Sequence, residues 1–533
     1  MNTDTALARH ARLLQALMSG DAIAAPPGER TLIETHISSL VLAGGYVYKL
    51  RKPLKLDFLD FSTPALRRAD CLEELRLNRR TAPQLYVDVL PIVGTPDAPR
   101  IGTPSDAARA FDWLLRMRRF EQRDLLDAMA REGRLTEAHI DALARRVAAF
   151  HCTLPPAPDA FGQAAAVRNW SMATLDALRI AAASPAQTAR IAALRAWTDR
   201  ESTRLAPLMR QRRMNGFIRE CHGDLHLGNI ALIDGAPLPF DGIAFNPDLR
   251  HIDVASDIAF TFMDLLRHEL PALAWRFAGA YAEHSGDYAG LALLRFYAVY
   301  RALVRARVAL MRAAQGSDNA AAFAAFERDL GLAESLAAPP AAAPLLVLAC
   351  GISGSGKSTV AQWLAQHLGA VRVRSDVERK RLYALDATAR PARGEQATLY
   401  GLEATRRTYA RLAELARGLL TAGIPTVVDA VALHRAERDA LRSLAAECGT
   451  RFVLLECSAP DAVLRERITR RMSEATDASD ADLGVLDLQL RAREPVAPDE
   501  SAIAFDTDVA LPELARRCEA LAGRLGTAPA AHH

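Results

Sequence analysis

The sequence is poor in net charge, in aromatic residues and in long apolar runs. It has 533 residues, a net charge of +3 and only 6% aromatic residues. A charge so close to neutral, without clustered basic residues, speaks against nucleic acid as a partner. No apolar run approaches the roughly 18 to 20 residues of a membrane span. The first residues also lack the apolar core of a signal peptide, so no membrane association is expected.

Cysteine is scarce and scattered. The seven cysteines include no CxxC pair, which argues against a disulfide framework and against a zinc site. This usage fits a reducing compartment, and we therefore expect a cytoplasmic protein.

Lysine is the rarest basic residue. The five lysines among 66 basic residues are Lys49, Lys52, Lys55, Lys357 and Lys380. A bias towards arginine explains such usage on the surface, but lysine should persist where a compact ammonium cannot be exchanged for a guanidinium. Two of the five, Lys49 and Lys357, fall in the motifs described below.

An Ala/Pro-rich stretch, SLAAPPAAAP, divides the chain at 335–344. We predict a first domain at 1–335, a linker at 336–343, a second domain at 344–525 and a tail at 526–533. The first domain is predicted to be α+β, with a β-rich small lobe at about 30–117 and a helical large lobe at about 118–335. The second alternates strands and helices, which is typical of an α/β fold with a doubly wound parallel sheet.

The stretch HGDLHLGNI, 222–230, has the HxDxxxxN spacing of kinase catalytic loops. His222 and Asp224 are the candidate catalytic residues of this motif. In that chemistry Asp224 takes or orients the proton of an acceptor hydroxyl, and Asn229 supplies a neutral oxygen to a metal ion. Asp241, which follows in LPFDGIAF, is the candidate for the second Mg²⁺ ligand.

A lysine and a glutamate upstream complete this pattern. Lys49 lies on a predicted strand, GYVYKL, where it would hold the α and β phosphates of a nucleotide. The next helix is predicted at about 64–81, because Thr63 and Pro64 are a helix-start signal. Glu74 on this helix would hold Lys49, with Glu73 as the alternative. An isolated HGD or Asp-Gly is common turn chemistry. The order of all four elements favours a catalytic site.

On these motifs, residues 30–335 resemble the aminoglycoside phosphotransferase and choline kinase family. The resemblance implies a protein-kinase-like bilobal fold that phosphorylates a hydroxyl of a small molecule with ATP and Mg²⁺. It also implies that Asp257, in SDIAF, braces the catalytic loop. The chain departs from the family because no Gly-rich flap precedes Lys49, so Ser38, Ser39 and backbone amides are expected to cover the phosphates.

The acceptor region also departs from that family. Residues 255–335 lack the acid-rich pocket that holds polycationic antibiotics and carry arginines instead, as in YRALVRARVALMR. An antibiotic is therefore a doubtful substrate, and an anionic or sugar-like acceptor is at least as well supported.

The stretch GISGSGKST satisfies GxxxxGK[ST] between an apolar strand and a helix, which is the context of a P-loop. Its backbone amides would cradle phosphate, Lys357 would neutralise the β and γ oxygens, and Ser358 would reach Mg²⁺. The predicted nucleotide-binding residues of this motif are Gly351, Ser353, Gly354, Ser355, Gly356, Lys357, Ser358 and Thr359.

Four further residues are candidates around the P-loop. Asp376 follows a predicted strand and would contact the acceptor, or merely cap a helix. Asp429 ends another strand and would assist Mg²⁺ through water. Arg467 and Arg471, four residues apart, are candidates for a nucleotide-binding lid or form a solvated basic face. The segment 344–525 resembles a group of predicted kinases related to polynucleotide and gluconate kinases.

The whole chain thus resembles bacterial fusions of an aminoglycoside phosphotransferase-like domain with an ATP-binding P-loop domain. The prediction is a bifunctional kinase with two Mg–ATP sites and a small-molecule acceptor. Two alternatives concern the P-loop domain. It could be a regulatory ATPase that gates the first domain, or a polynucleotide-kinase-like end-repair enzyme, which the near-neutral charge disfavours.

Overall fold

The computed structural model describes residues 3–56, 59–314, 319–339, 343–387, 389, 399–474 and 478–527. The chain forms two compact units. The first consists of Met1–His268 and Phe296–Ala337, and the second of Glu269–Arg295 and Ala338–His533. The predicted boundary differs on one segment, because Glu269–Arg295 belongs by its contacts to the second unit. Residues 340–342 of the predicted linker and 528–533 of the predicted tail lie outside the described residues.

The helices and strands follow in chain order. The helices are α1 (Thr3–Ser19), α2 (Pro64–Asn78), α3 (Leu126–Arg131), α4 (Glu137–Thr153), α5 (Ala164–Ala181), α6 (Pro185–Met214), α7 (Val254–Arg267), α8 (Pro271–Ser285), α9 (Leu294–Ala314), α10 (Asn319–Ala337), α11 (Lys357–Leu368), α12 (Ser375–Leu382), α13 (Leu402–Thr421), α14 (Arg435–Glu447), α15 (Asp461–Glu474), α16 (Leu483–Ala492) and α17 (Leu511–Thr527). The strands are β1 (Thr31–Glu34), β2 (Ser38–Ala43), β3 (Tyr46–Arg51), β4 (Lys55–Leu56), β5 (Leu59–Asp60), β6 (Tyr86–Thr95), β7 (Ala98–Ile101), β8 (Asp112–Arg118), β9 (Ile218–Glu220), β10 (Ile230–Ile233), β11 (Ala236–Pro239), β12 (His251–Asp253), β13 (Leu345–Cys350), β14 (Val371–Arg374), β15 (Thr426–Asp429), β16 (Arg451–Ser458) and β17 (Ile503–Asp506).

The small lobe of the first unit is an antiparallel sheet in the order β1-β2-β3-β8-β6-β7. Because side chains alternate along a strand, β3 serves two cores. Tyr48 and Leu50 pack with α1 on one face, whereas Val47 packs on the other face, where α2 lies. Lys49 follows Val47 in this alternation and therefore lies on the α2 side of the sheet. Strand β3 pairs with β2 as an antiparallel hairpin, so the strand predicted at GYVYKL is present.

Helix α2 begins where the sequence predicts. The Thr63 side chain accepts a hydrogen bond from the Leu66 amide, and Pro64 occupies the first helical position, which its fixed φ angle favours. This start sets the register that turns Glu74 inwards, where it is buried. The helix ends at Asn78, three residues before the predicted end.

The large lobe is helical and carries two short antiparallel strand pairs. Strands β10 and β11 pair across a turn at Asp234 and Gly235, both with positive φ, as a two-residue hairpin turn requires. This hairpin separates the catalytic-loop motif from Asp241. Strand β12, which pairs with β9, leads directly into α7, capped by Asp253.

The second unit contains a parallel sheet in the order β14-β15-β13-β16-β17. Strand β13 is buried along its whole length, as expected of a central parallel strand. Helices α11 and α17 supply apolar residues to the core on this sheet, among them Leu364 and Leu521. The predicted fold class is confirmed, with an α+β unit and a doubly wound parallel-sheet unit.

Among the described helices, none is both long and apolar enough to cross a bilayer.

A buried ion pair between Arg438 and Glu500 is expected to stabilise the second unit. Arg438 bonds both carboxylate oxygens of Glu500, at 2.6 and 2.8 Å, and also the carbonyl of Ala432. Replacing Arg438→Met leaves a buried carboxylate without its cation, which should lower the free energy of unfolding of this unit by about 3–5 kcal/mol. Calorimetric unfolding would measure this loss. The control is Arg435→Met, on the same helix as Arg438. It breaks an exposed pair with Asp499 and should change the free energy of unfolding little.

The same pair predicts a pH dependence. The Arg438 guanidinium holds the pKa of Glu500 at about 2, down from 4.5. A lowered carboxyl pKa stabilises the folded state above the unfolded pKa. The contribution of the pair should therefore be complete above pH of about 4.5 and should disappear as the pH falls towards 2. Arg438→Met should lack this part of the acid dependence; an unchanged profile would contradict the assignment.

Candidate functional site

Three separate elements of the first unit meet at Lys49. Its Nζ lies 2.8 Å from Glu74 Oε1 on α2 and 2.5 Å from Asp241 Oδ1, in the loop after β11. Lys49 and Glu74 are buried, whereas the Asp241 side chain is 44% exposed. Burial acts to lower the pKa of Lys49, but the carboxylates of Asp241 and Glu74 raise it above its usual value. Lys49 is therefore a fixed cation beside an accessible carboxylate.

A second cation supports Glu74 from behind. Arg51, two residues along β3 on the same side, bonds the other oxygen of Glu74, and its Nε bonds Asp70 Oδ2 at 2.5 Å. Glu73, the alternative partner, faces outwards and pairs with Arg76 and Arg250. The structure thus brings Glu74, and not Glu73, to Lys49.

The Asp241 loop is held in an unusual conformation. Asp241 has a φ of 61°, in the left-handed region that non-glycine residues rarely adopt. Its amide donates to Tyr86 Oη at 2.9 Å, and the next amide, of Gly242, donates to Asn78 Oδ1 at 2.8 Å. Burial acts to raise the pKa of Asp241, as does the charge of nearby Asp224, but Lys49 holds it below its usual value.

Asp224 and Asn229 are joined directly. Asn229 donates from Nδ2 to the Asp224 side chain at 2.9 Å and to its carbonyl at 3.0 Å. The carbonyl oxygen of the Asn229 amide is then the atom available to a cation. Burial acts to raise the pKa of Asp224, but His226, Arg305 and His222 hold it below its usual value. The Asp224 side chain, 35% exposed, is thus an ionised acceptor that a substrate can reach.

His222 is placed differently from Asp224. It is buried, its Nε2 lies 2.9 Å from the Phe240 carbonyl, and its Nδ1 accepts the Asp224 amide at 3.3 Å. Both ring nitrogens are therefore engaged within the protein. We grouped His222 with the catalytic residues on sequence, but this geometry gives it the role of fixing the loop.

A buried aspartate on α7 braces the catalytic loop. Asp257 accepts the amides of His222 and Gly223 at 3.1 and 2.8 Å, and its Oδ2 also lies 3.1 Å from His151 Nε2. Gly223 has a φ of 85°, and a Cβ there would lie 2.7 Å from the Leu249 carbonyl. Only glycine fits this position.

The same aspartate belongs to a cluster that could be mistaken for a metal centre. Among the described residues, His151, Cys221 and Asp257 lie close enough together to hold an ion. The oxygens of Asp257 are already occupied by three donors, and Cys221 Sγ donates to the Ile252 carbonyl at 3.5 Å. These contacts explain the cluster as a structural brace.

Two further braces were not predicted from the sequence. Asp264, two turns along α7 from Asp257, accepts the Leu227 amide at 2.9 Å. Arg301 on α9 donates to the Gly223 carbonyl at 3.0 Å. The spacing of Asp257 and Asp264, seven residues apart on one helix face, is the sequence signal for the first of these.

The expected phosphate cover by two serines is wrong. Ser38 and Ser39 are both buried. The Ser38 hydroxyl accepts from Arg51 Nη1 at 2.7 Å, and the Ser39 hydroxyl lies 3.1 Å from His10 Nε2. The two side chains lie on opposite faces of β2, and both hydroxyls are engaged within the small lobe.

The P-loop of the second unit connects β13 to α11. Gly354 has a φ of 84°, and a Cβ there would lie 2.8 Å from the Leu464 carbonyl. Lys357, at the start of α11, makes no hydrogen bond or ion pair with other described residues. The Thr507 hydroxyl donates to the Ser355 carbonyl at 2.8 Å, a contact that sequence reasoning missed. The loop thus leaves a cation free at a helix N-terminus, which suits an anion.

The acids of this unit lie at the carboxyl ends of neighbouring strands. Asp429 ends β15 and is level with Ala349 of β13 and Arg374 of β14. It is buried, and its Oδ2 has no hydrogen-bond partner among the described residues. Together with the Ser358 hydroxyl, this oxygen is a donor of the kind that Mg²⁺ prefers. The residues present therefore fit the ion.

Asp376 is not a helix cap. It is the second residue of α12, whose N-cap position is Arg374. The half-buried Asp376 carboxylate has no hydrogen bond with other described residues, and its charge contributes, after burial, to raising the pKa of Tyr400. Arg379, one turn later, lies over the Tyr400 ring at 5.1 Å.

The two arginines of the predicted lid make different contacts. Arg467 donates to the carbonyls of Gly354 and Thr507, at 3.3 and 2.8 Å, and so supports the P-loop from behind. Arg471 bonds the Ala481 carbonyl at 2.8 Å and does not join the P-loop residues. Of the two, the structure brings only Arg467 to the predicted nucleotide site.

Comparison with known proteins decides the family. The chain is 32% identical over 449 residues to the uncharacterized proteins Rv2004c of Mycobacterium tuberculosis (strain H37Rv) and Mb2027c of Mycobacterium bovis. The similarity covers 84% of this chain and 87% of each relative. The chain belongs to the family of these mycobacterial proteins. Within this family member, residues 346–496 match the AAA domain family, which confirms the predicted P-loop domain.

Solved structures with similarity to this family member include kinases for both parts. Amicoumacin kinase hAmiN is 15% identical, covers 63% of this chain and 96% of its own, and has a TM-score of 0.38. A gluconokinase from Sinorhizobium meliloti 1021 is 24% identical, covers 34% of this chain and 94% of its own, and has a TM-score of 0.26.

The brace on the catalytic loop predicts a local change in hydrogen exchange. In Asp257→Asn, the amides of His222 and Gly223 lose a charged acceptor, a contact of about 1.5–3 kcal/mol. Their exchange should accelerate about 10- to 100-fold. Residue-resolved hydrogen exchange would measure this. Asp264→Asn is the matched control, since it should accelerate Leu227 and leave His222 and Gly223 protected.

Proposed function

We propose that this protein is an ATP- and Mg²⁺-dependent phosphotransferase with two nucleotide sites. In the first unit, it phosphorylates a hydroxyl of a small molecule. The observation that carries this proposal is the position of Lys49 Nζ, between Glu74 and Asp241. A buried, doubly paired lysine beside an exposed carboxylate is costly as a purely structural device. It is what a site for a metal–phosphate complex needs.

The contacts in the first unit support the following roles. The Lys49 ammonium binds the α and β phosphates, and Glu74 keeps it in place. The Asn229 amide oxygen and the Asp241 carboxylate hold Mg²⁺, which when bound neutralises the charge that develops on the transferred phosphate. Because Asp241 bonds Lys49 directly, the lysine ammonium and the metal-binding carboxylate lie next to each other, as binding to one metal–phosphate complex requires.

Asp224 acts on the acceptor. Its pKa lies below the usual range, so it is ionised at neutral pH and accepts a hydrogen bond from the acceptor hydroxyl. A carboxylate with a low pKa is a weak base, and its main contribution is to orient the hydroxyl towards the phosphate. His222, Asp257 and Asp264 keep this loop in position from within the protein.

The second unit is proposed to be a small-molecule kinase. Lys357 binds the β and γ phosphates, and Ser358 and Asp429 contribute to the Mg²⁺ site. Asp376, at the carboxyl end of β14 and without a hydrogen-bond partner among the described residues, is the group for the acceptor. Arg379 lies beside it and suits an anionic or polyhydroxylated acceptor.

The first test is the number of nucleotide sites. Equilibrium binding of a fluorescent ATP analogue with Mg²⁺ should saturate at two equivalents per chain. Asp241→Asn should remove one equivalent, because it removes a metal ligand, and Lys357→Ala should remove the other. Saturation at one equivalent in the wild-type chain would contradict the proposal.

The second test separates the two activities. Phosphoryl transfer from labelled ATP to a metabolite extract should give products that Asp224→Ala abolishes and products that Lys357→Ala abolishes. Asp224→Ala should lower kcat of the first reaction by about 10²–10⁴-fold, as for loss of a positioned acid–base group, while nucleotide binding persists. Loss of both sets of products in Lys357→Ala would instead favour a regulatory ATPase. Labelled oligonucleotide ends would favour the end-repair enzyme.

A third test uses two adjacent glutamates on α2. Glu74→Gln weakens the hold on Lys49 and should raise the KM for ATP in the first reaction by about tenfold, equivalent to roughly 1.4 kcal/mol. Glu73→Gln is the matched control, since Glu73 pairs at the surface and does not contact Lys49. Equal effects of the two substitutions would exclude the assigned role of Glu74.

A further inference from the structure

A helix from outside the P-loop segment forms part of the second unit. Helix α8 packs against α11, and Arg276 on α8 donates to Gln366 Oε1 at 3.1 Å. At the end of α11, a Cβ on Gly369 would lie 3.1 Å from Trp275 Nε1. The helix that follows the P-loop thus has α8 as a direct neighbour.

One acid of α8 reaches two arginines of the sheet. Glu283 Oε2 lies 2.8 Å from Arg372 Nη2, and its Oε1 lies 3.6 Å from Arg374 Nη1. All three side chains are at most 14% exposed. Burial acts to raise the pKa of Glu283, but the two arginines hold it below its usual value. Glu283 is therefore a buried anion shared between two cations of β14.

Each of these arginines continues to a residue of the proposed Mg²⁺ site. Arg372 donates from Nη1 to the Ser358 carbonyl at 3.2 Å. Arg374 Nε lies 3.6 Å from Asp429 Oδ2. A single carboxylate thus connects, through two guanidinium groups, to the backbone of Ser358 and to the side chain of Asp429.

The charges give this arrangement a consequence for cation binding. Arg374 competes with any cation for the Asp429 carboxylate, because both are attracted to the same oxygen. Glu283 draws the Arg374 guanidinium in the other direction and neutralises part of its charge in a poorly solvated position. Without that negative charge, the full positive charge of Arg374 acts on Asp429, and the site becomes less favourable for a divalent cation.

We propose that Glu283 is a positioning residue of the P-loop site, which keeps Asp429 and Ser358 available to Mg²⁺ by holding Arg374 and Arg372. This proposal rests on the proposed function of the second unit. It assigns part of the nucleotide site to a helix that precedes the P-loop by more than 60 residues in the sequence.

The test is a Mg²⁺ titration of nucleotide binding in the full chain. An Asp241→Asn background restricts the signal from a fluorescent ATP analogue to the second unit. Adding Glu283→Gln should raise the Mg²⁺ concentration at half-saturation about fivefold, the effect expected of one partly buried ion pair. Affinity for the analogue without Mg²⁺ should change by less than about twofold. A general structural defect would weaken binding with and without the ion alike.

Two further variants sharpen the result. Arg374→Gln should shift the Mg²⁺ dependence in the opposite direction, to lower concentrations, because it frees Asp429; this holds even if Glu283→Gln fails to fold. Arg276→Gln, on the same helix, removes a bond to Gln366 of α11 and should leave the Mg²⁺ dependence unchanged.

The outcomes distinguish the two levels of the proposal. If the background chain shows no binding that depends on Lys357, the proposed function of the second unit fails, and the role of Glu283 fails with it. If Lys357-dependent binding is present but Glu283→Gln and Arg374→Gln titrate like the background, the proposed function stands and the role of Glu283 is overturned.

Discussion

The first site depends on a lysine that is buried between two carboxylates. Taking charged groups out of water costs several kcal/mol per ion, so the arrangement is stable only when every partner is in place. Lys49 comes from β3, Glu74 from α2 and Asp241 from the loop after β11. The burial of Lys49 is therefore favourable only when β3, α2 and the Asp241 loop all occupy the positions that they have in this structure. Tyr86 and Asn78 bond the amides of the Asp241 loop and tie the same loop to the small lobe.

The second site is built on a different principle. Its phosphate cradle is formed by backbone, and side chains act mainly to hold that backbone. Arg467 and Thr507 bond carbonyls of the loop, and Gln489 accepts the Ser353 amide at 2.8 Å. The scarcity of lysine is informative in both units. Besides Lys49 and Lys357, Lys380 is fully buried and pairs with Asp480 at 2.9 Å.

The sequence predicts the parts of these sites that depend on local patterns. Thr63 and Pro64 set the start of α2, and this start fixes which of two adjacent glutamates faces inwards. Loop motifs with fixed spacing place Asp224 and Asn229 together, because five residues cannot separate them far. Alternation along β2 does not reveal whether a serine serves packing or a ligand, so Ser38 and Ser39 were assigned wrongly.

Contacts between distant residues escape this kind of reasoning. Thr507 joins the P-loop across about 150 residues of sequence, and nothing near it forms a motif. Helix α1, whose Leu13 and Leu17 cover one face of the small sheet, has helical spacing but no chemical signature. Glu269–Arg295 belongs to the second unit through contacts of α8 with α11 and β14 that no local pattern indicates. In each case the residues near the contact in the sequence do not indicate which distant residue it will meet.

The placement of Glu269–Arg295 affects how this chain can be divided. The chain passes from one unit to the other after residues 268, 295 and 337. An end-to-end arrangement of two domains would produce a single crossing. With three crossings, severing the polypeptide at its Ala/Pro-rich stretch would leave α8 on the upstream piece, apart from the β14 arginines with which Glu283 pairs. A fragment that begins after this stretch would therefore lack one helix of the second unit.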